Sequence, residues 1–238
     1  MPDDAELLQQ DELTKERTPE EMASWVDNTL SRFWATETTA RQARLRAGLI
    51  DQFMGEIIPL SIFVNRLYLG QSYITCLPVI GSQRFDAIIF DNSFHPRVET
   101  KVEITNACFG YKDHLRMEHL NKHGGVFLTG DIKRIGERIE ARIRAIDHVE
   151  RLNEQFDQIR KAALRKLAKS YEDKPVLIVT FDDSRGFYTQ EDSDFGRLGE
   201  FVSAELTPLF SGAIFRSAYI LGLSGRVFLQ IPQTTQGQ

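Results

Sequence analysis

The sequence has few cysteines and no long uninterrupted run of apolar residues. Its two cysteines, Cys76 and Cys108, each lie within an apolar stretch, which is typical of a reduced cytoplasmic protein rather than of a disulfide-linked scaffold. The most apolar stretch, residues 53–69, contains charged residues such as Glu56 and Arg66, which excludes it as a clean membrane span. We therefore expect a cytoplasmic protein that does not insert into a membrane.

An excess of charge of one sign is also missing. The 238 residues include 29 Lys and Arg against 34 Asp and Glu, which gives a net charge of −5. This balance excludes a uniformly basic nucleic-acid-binding protein but not a local basic surface. No secretory signal is expected, because Asp3, Asp4 and Glu6 occupy the positions of its basic segment. With 42% hydrophobic residues, the chain is long enough for one globular domain with a substantial core.

The charge is distributed unevenly along the chain. Residues 1–37 carry 3 basic and 10 acidic side chains, whereas residues 133–169 carry 11 basic and 6 acidic ones, a local charge of +5. A basic segment of this kind is either the solvated face of a helix or a surface that faces phosphates. On the second interpretation, the candidate nucleic-acid-binding residues are Arg134, Arg138 and Arg142.

Hydrophobic periodicity divides the chain into parts. We predict a disordered acidic arm over residues 1–17 and a single globular domain over 18–232, followed by a disordered tail over 233–238. Within the domain we expect three successive parts: a helical N-terminal part, a core, and a C-terminal helix with a hairpin. These parts span residues 18–44, 45–181 and 182–232.

The core combines strands with one long helix. Strands are predicted over residues 73–77, 85–90, 98–105 and 175–181, and apolar residues recurring every three to five positions predict a single helix over 135–167. In the third strand, strict alternation places Glu99, Lys101 and Glu103 on one face and Val98, Thr100, Val102 and Ile104 on the other. The fold class is therefore α/β with a mixed (α+β) sheet.

The element order helix, three strands, helix, strand, with Asp86 on the second strand and Glu99-Thr100-Lys101 on the third, resembles the PD-(D/E)XK nuclease superfamily. The resemblance implies a restriction-endonuclease-like αβββαβ core and hydrolysis of DNA phosphodiesters with Mg²⁺ or Mn²⁺. It implies that Asp86, Glu99 and Lys101 are catalytic. Asp86 and Glu99 would bind the metal together with Glu56 from the preceding helix, and Lys101 would position or activate the attacking water.

The spacing of Glu99 and Lys101 has a physical reason. Two residues apart on a strand, a carboxylate and an ammonium lie on one face about 7 Å apart. Oxygen ligands suit Mg²⁺, and a nearby lysine neutralises charge that develops on a phosphate. The same acid-x-Lys pattern occurs at Asp131–Lys133 and Glu172–Lys174, but only the copy at Glu99 lies in an alternating strand that follows a strand with its own acid.

Other interpretations remain open. Glu99, Lys101 and Glu103 could form the polar outer face of an antiparallel sheet, without chemistry. His114, His119 and His123 could form a zinc site, although no CxxC or HExxH pattern accompanies them. The chain could also be a non-catalytic homo-oligomeric interaction module that pairs the 135–167 helix between copies. We expect a homodimer in either case.

Overall fold

A six-stranded mixed sheet lies at the centre of the computed structural model, which describes residues 7–81, 83–108, 110–126, 130–185, 192–212 and 214–233. Its strand order is β1-β2-β3-β6-β7-β8; β1 to β3 form an antiparallel meander, β6 is parallel to β3 and to β7, and β8 is antiparallel to β7. A separate antiparallel hairpin consists of β4 and β5. The strands are β1 Ile74–Pro78, β2 Ala87–Asp91, β3 Val98–Ala107, β4 Asp131–Ile135, β5 Arg138–Arg142, β6 Val176–Phe181, β7 Ser217–Gly222 and β8 Phe228–Ile231.

Helices cover both faces of the sheet; five of those in the described residues precede it and three lie between its strands. They are α1 Gln10–Leu13, α2 Pro19–Phe33, α3 Glu37–Leu45, α4 Leu49–Gln52, α5 Ile58–Tyr68, α6 Tyr111–His123, α7 His148–Leu167 and α8 Asp192–Phe201. A π-helical turn, Phe53–Ile57, joins α4 to α5, and a second one, Val202–Leu206, extends α8. Helix α2 begins with the capping box that its sequence indicates: Thr18 Oγ1 accepts from the Glu21 N–H, and the Glu21 carboxylate accepts from the Thr18 N–H at 2.9 Å. The predicted mixed α/β class, the strands and the C-terminal helix and hairpin are confirmed.

The sheet separates two hydrophobic clusters. Val102, Ile104 and Ile178 face the N-terminal helices, whereas Leu177 and Val179 face α7 and α8. Strand β6 is buried along its whole length because helices cover both sides of it. Among the described residues, no single helix is long and apolar enough to cross a membrane, and the bent pair 37–45 and 49–68 meets that criterion only when its halves are combined.

The prediction of one helix over residues 135–167 is wrong. Residues 131–142 form the β4–β5 hairpin, and α7 begins only at His148, where the Asp147 side chain accepts from the Glu150 N–H at 2.7 Å. Ile135 and Ile143 are 47% and 65% exposed, so neither belongs to the apolar stripe of α7. A spacing of four residues suits both a helix and a strand, and this ambiguity is the source of the error.

The hypothesis of an interaction module was based on a helix over residues 135–167, which the structure does not contain. The apolar stripe of α7, formed by Leu152, Phe156 and Ile159, is buried against the sheet of its own chain. Dimerisation by another surface stays a prediction.

The N-terminal segment is more ordered than expected. Leu8 and Leu13 are buried in the core, and Arg17 pairs with Cys76 of β1 through two backbone hydrogen bonds of 3.0 and 2.8 Å. The predicted disordered arm is therefore wrong for residues 7–17, while residues 1–6 lie outside the described part. In the predicted tail, Gln233 donates to the Phe215 carbonyl at 3.2 Å, and residues 234–238 lie outside the described part.

Packing of α7 inside the chain can be tested by two truncations on the same helix. Ile159→Ala should lower the free energy of unfolding by about 2–5 kcal/mol, because Ile159 is fully buried. Leu164→Ala should change it by less than about 0.5 kcal/mol, because Leu164 is 43% exposed. Urea unfolding at several protein concentrations measures both, and a large, concentration-dependent loss in Leu164→Ala would instead indicate pairing of α7 between copies.

Candidate active site

The candidate site lies at the N-terminal end of β2. Beyond this point β3 continues without β2 as its neighbour. The last β2–β3 pair is Ala87 with Val102, whereas β3 extends to Ala107. Asp86 stands at this junction: its N–H donates to the Val102 carbonyl at 2.8 Å, and its Oδ2 accepts from the Ile104 N–H at 2.6 Å. The Asp86 carboxylate thus satisfies a strand N–H that β2 no longer reaches, and it is fixed against β3.

Glu103 provides a second carboxylate beside this junction. It is 2% exposed, and its Oε1 accepts from Lys166 Nζ at 2.5 Å and from the Tyr171 hydroxyl at 2.9 Å, with Lys169 Nζ at 3.7 Å. Burial of an ionised carboxylate is costly unless it is paired and hydrogen-bonded, and these contacts supply both conditions. All three contacts are to Oε1, and Oε2 takes part in none of them.

The third carboxylate, Glu56, is carried by the π-helical turn between α4 and α5. This turn approaches β3 closely: the Gly55 carbonyl accepts from Asn106 Nδ2 at 3.1 Å. A Cβ on Gly55 would stand 3.0 Å from that amide nitrogen, so a larger residue would require the Asn106 side chain to shift. The close approach at Gly55 brings Glu56 near β3. Single π-helical turns of this kind occur often at functional sites.

Two of the carboxyl groups have raised pKa values. The pKa of Glu56 is raised to about 7, chiefly by burial and also by the negative charges of Asp86, Asp51 and Glu103, while Lys166 opposes the increase. Burial also raises the pKa of Asp86 to about 6, against the lowering effect of the Ile104 N–H, with Glu103 raising it and Lys166 and Lys169 lowering it. Glu56, Asp86, Glu103 and Lys166 therefore form one electrostatic cluster. We call it the carboxylate site.

The structure brings two of the predicted site residues together and leaves two out. Asp86 and Glu56 belong to the carboxylate site, but Glu99 is exposed and pairs with Phe90, four residues from Asp86 or about 13 Å along the strand. Lys101 forms an ion pair with Asp173 instead. The expectation that Asp86, Glu99 and Lys101 converge is therefore wrong: the acid of β3 that reaches the site is Glu103.

Three residues of the site were missed from the sequence. Glu103 was visible as an acid on the correct face of β3, and pairing the strands outward from the turn at 92–97 would have placed it, not Glu99, beside Asp86. Lys166 and Tyr171 come from α7 and the segment after it, 63 and 68 positions from Glu103. No local pattern in the sequence points to contacts at that separation.

The donor atoms of the carboxylate site fit a divalent cation that prefers oxygen. Asp86 and Glu103 each have one oxygen held by the protein and a second that takes no part in those bonds. The pKa values of Glu56 and Asp86 are raised chiefly by burial and, to a smaller extent, by neighbouring negative charge, which a cation would offset. Within the described part of the chain, no three His, Cys, Asp or Glu side chains already stand in ligating positions, so binding would require these carboxyls to lose protons and close on the ion.

The histidines do not form an alternative metal site in the described residues. His119 and His123 are neighbours on α6, with ring centroids 4.5 Å apart, and His119 Nδ1 lies 3.0 Å from the Gly125 carbonyl. Two imidazoles without a further ligand fall short of the four-coordinate sites that zinc prefers.

Comparisons of the chain with protein-family models, curated proteins and solved structures find no match.

The raised pKa of Glu56 predicts how stability depends on pH without metal. The folded protein binds the Glu56 proton more tightly than the unfolded chain, in which the pKa of Glu is about 4.3. Ionisation of Glu56 therefore destabilises the folded protein, and this loss of stability grows as the pH rises from about 4.3 to about 7. Glu56→Gln should remove it and gain on the order of 1–2 kcal/mol at pH 8 relative to pH 4.5, after allowance for partial solvent access.

Urea unfolding in EDTA at both pH values measures this effect. Asp86→Asn should give a change of the same sign over a lower pH range, because the pKa of Asp86 is raised only to about 6. A Glu56→Gln difference that is equal at the two pH values would contradict the assignment.

Proposed function

We propose that the protein is a metal-dependent nuclease that hydrolyses DNA phosphodiester bonds, of the PD-(D/E)XK type. The observation that carries the proposal is the meeting of Glu56, Asp86 and Glu103, from three separate elements, with Lys166 bound to one of them. Crowded acids with raised pKa values are costly to the fold, and such groups cluster at functional sites.

The arrangement of elements supports the same proposal. Helix α5 leads into the antiparallel strands β1 to β3, α7 covers the sheet, and β6 joins β3 in parallel. This element order agrees with the αβββαβ order that the resemblance to restriction endonucleases implies. The β4–β5 hairpin and α6 are inserted between β3 and α7.

Mg²⁺ or Mn²⁺ would be held by Asp86, Glu103 and Glu56. When bound, such an ion polarises a phosphodiester and lowers the pKa of water. The chain's own residues prepare the site: the Ile104 N–H orients Asp86, and Lys166 and Tyr171 hold the Glu103 carboxylate by one oxygen. Glu56, whose pKa is raised to about 7 without metal, would have to lose its proton to join these ligands.

Lys166, rather than Lys101 of the sequence motif, supplies the positive charge beside the reacting phosphate. Its ammonium lies at Glu103 and acts electrostatically on Asp86 and Glu56, so it adds positive charge at the point where a scissile phosphate would bind. Lys169 adds a second cation 3.7 Å from Glu103. The lysine of the motif is thus replaced by a lysine that α7 supplies.

The β4–β5 hairpin is the proposed DNA contact outside the site. Its pairing places Lys133, Arg138 and Arg142 on one exposed side together with Asp131 and Glu140, which leaves that side with one net positive charge. Arg134 lies on the opposite side in an ion pair with Glu118 of α6. A two-stranded ribbon fits the major groove of DNA, and its cations would bind phosphates. Of the three arginines predicted to bind nucleic acid, Arg138 and Arg142 keep this role and Arg134 instead anchors the hairpin.

A cytoplasmic location belongs to the same proposal. Both cysteines are free; Cys76 is buried, and burial raises its pKa to about 12, which keeps the thiol protonated.

A DNA cleavage assay can distinguish a site that uses Glu103, as the structure indicates, from one that uses Glu99, as the sequence motif predicts. Asp86→Asn and Glu103→Gln should abolish Mg²⁺-dependent conversion of plasmid DNA, and Lys166→Gln should slow it about 10²–10³-fold, because an oriented charge at the reacting group is lost. Glu99→Gln, the matched control on the same strand, should retain cleavage. EDTA should stop the wild type.

A second measurement does not depend on turnover. Mg²⁺ at one hundred times its dissociation constant should increase the free energy of unfolding of the wild type at pH 8 by up to about 2.7 kcal/mol. Its melting temperature should therefore rise. Asp86→Asn should lose this increase. An equal increase in the variant, or cleavage that needs Glu99 but not Glu103, would contradict the proposed site.

The hairpin predicts a salt-dependent effect on DNA binding. Replacing Arg138 and Arg142 with Gln should weaken binding to duplex DNA and reduce the slope of log affinity against log salt by about 1.8, or 0.9 for each lost phosphate contact. Arg134→Gln should leave the slope unchanged, because Arg134 pairs with Glu118. Fluorescence anisotropy over a salt series measures the slope, and an equal change in all three variants would contradict the two-sided hairpin.

A further inference from the structure

A cavity of about 360 Å³ adjoins the carboxylate site. Tyr171 belongs to both: its ring lines the cavity, and its hydroxyl donates to Glu103 Oε1 at 2.9 Å. The volume lies within the range of roughly 300–1,000 Å³ that small-molecule pockets occupy. A group held in the cavity would therefore lie one side chain away from Glu103.

The lining of the cavity combines aromatic rings with charged side chains. Phe85 and Tyr171 supply the rings, Arg84 and Lys101 supply positive charges, and Glu172 and Asp173 supply negative ones. The Arg84 guanidinium is held in place, because its Nη1 donates to the carbonyl and to the hydroxyl of Ser170 at 2.9 and 3.0 Å. Rings beside cations suit a ligand that has both a flat π-system and a phosphate, as a nucleotide does, provided that the phosphate displaces an acid from its cation.

Lys101 connects the two kinds of lining. Its ammonium lies 4.9 Å from the centroid of the Phe85 ring and forms an ion pair with Asp173, whose side chain is exposed. A surface ion pair of this kind contributes little and can exchange partners. A phosphate entering the cavity can therefore replace Asp173 as the partner of Lys101.

We propose that this cavity binds one unpaired nucleotide of a single-stranded DNA segment, with its base against Phe85 and its phosphate on Lys101. The proposal rests on the nuclease function and names its substrate class. Within a duplex, each base is paired and stacked, so its face is not available to a protein ring; a cavity of this size admits a base only outside the stack. The nucleotide bound here lies next to the bond at the carboxylate site.

Binding without metal tests the proposal independently of cleavage. In EDTA, a labelled oligo(dT) strand of about 12 nucleotides should bind more tightly than a blunt duplex of the same length. Phe85→Leu should weaken binding to the single strand about tenfold, because one base loses its stacking partner. Phe94→Leu, the control, removes an exposed ring from the β2–β3 turn and should have no effect.

The ion pair supplies a second test that does not alter the aromatic lining. Lys101→Gln should weaken binding to the single strand and lower its salt slope by about 0.7, the value for one phosphate contact on a single strand. Asp173→Asn should strengthen the binding, because it releases Lys101. If Lys101 and Asp173 only stabilise the fold, the two variants will instead change binding in the same direction.

The outcomes distinguish the cavity from the nuclease. Tighter binding of the duplex, or equal effects of Phe85→Leu and Phe94→Leu, would overturn the cavity proposal even if Mg²⁺-dependent cleavage is observed. If single-strand binding depends on Phe85 and Lys101 but the wild type cleaves no DNA with Mg²⁺ or Mn²⁺, the ligand of the cavity stands and the nuclease function fails. Circular dichroism of each variant confirms that it is folded.

Discussion

The ion pair between Glu103 and Lys166 joins the central strand of the sheet to the helix that covers it. A buried carboxylate would cost several kcal/mol without its partner, and the desolvation of both ions offsets much of their attraction. The pair is therefore poor support for stability alone. It does fix α7 against β3 and holds Glu103 by one oxygen, and Lys166 also acts electrostatically on Asp86 and Glu56.

The other two acids make the site more costly. Burial raises the pKa values of Glu56 and Asp86, and the charge of Glu103 adds to both increases, although Lys166 opposes them. A fold selected only for packing would place apolar side chains at such positions, and local conflicts of this kind are expected where a site carries function. The same conflict explains why a cation should stabilise the protein: it would replace protons that the crowded carboxyls otherwise retain.

Most of the fold could be predicted because its signals are local. Alternation and turn residues gave the strands around Asp86 and Glu103 to within one or two residues. The helix predicted over 135–167 failed because isoleucines four apart satisfy two periods. The prediction of the site residues was wrong for a different reason. Glu99 was predicted from a three-residue motif, whereas the position of Glu103 depends on strand register and on its contact with Lys166, 63 positions away. Contacts at that distance depend on how the whole chain folds.

The exchange of one lysine for another links the carboxylate site to the cavity. Electrostatic stabilisation requires a positive charge near the reacting phosphate but does not require that charge to come from a particular strand position. If Lys166 supplies this charge from α7, as we propose, Lys101 is available to face the cavity together with Asp173. Lys101 and Glu103 lie on one face of β3, about 7 Å apart along the strand. On the proposed function, β3 would therefore hold the metal through Glu103 and an adjoining phosphate through Lys101.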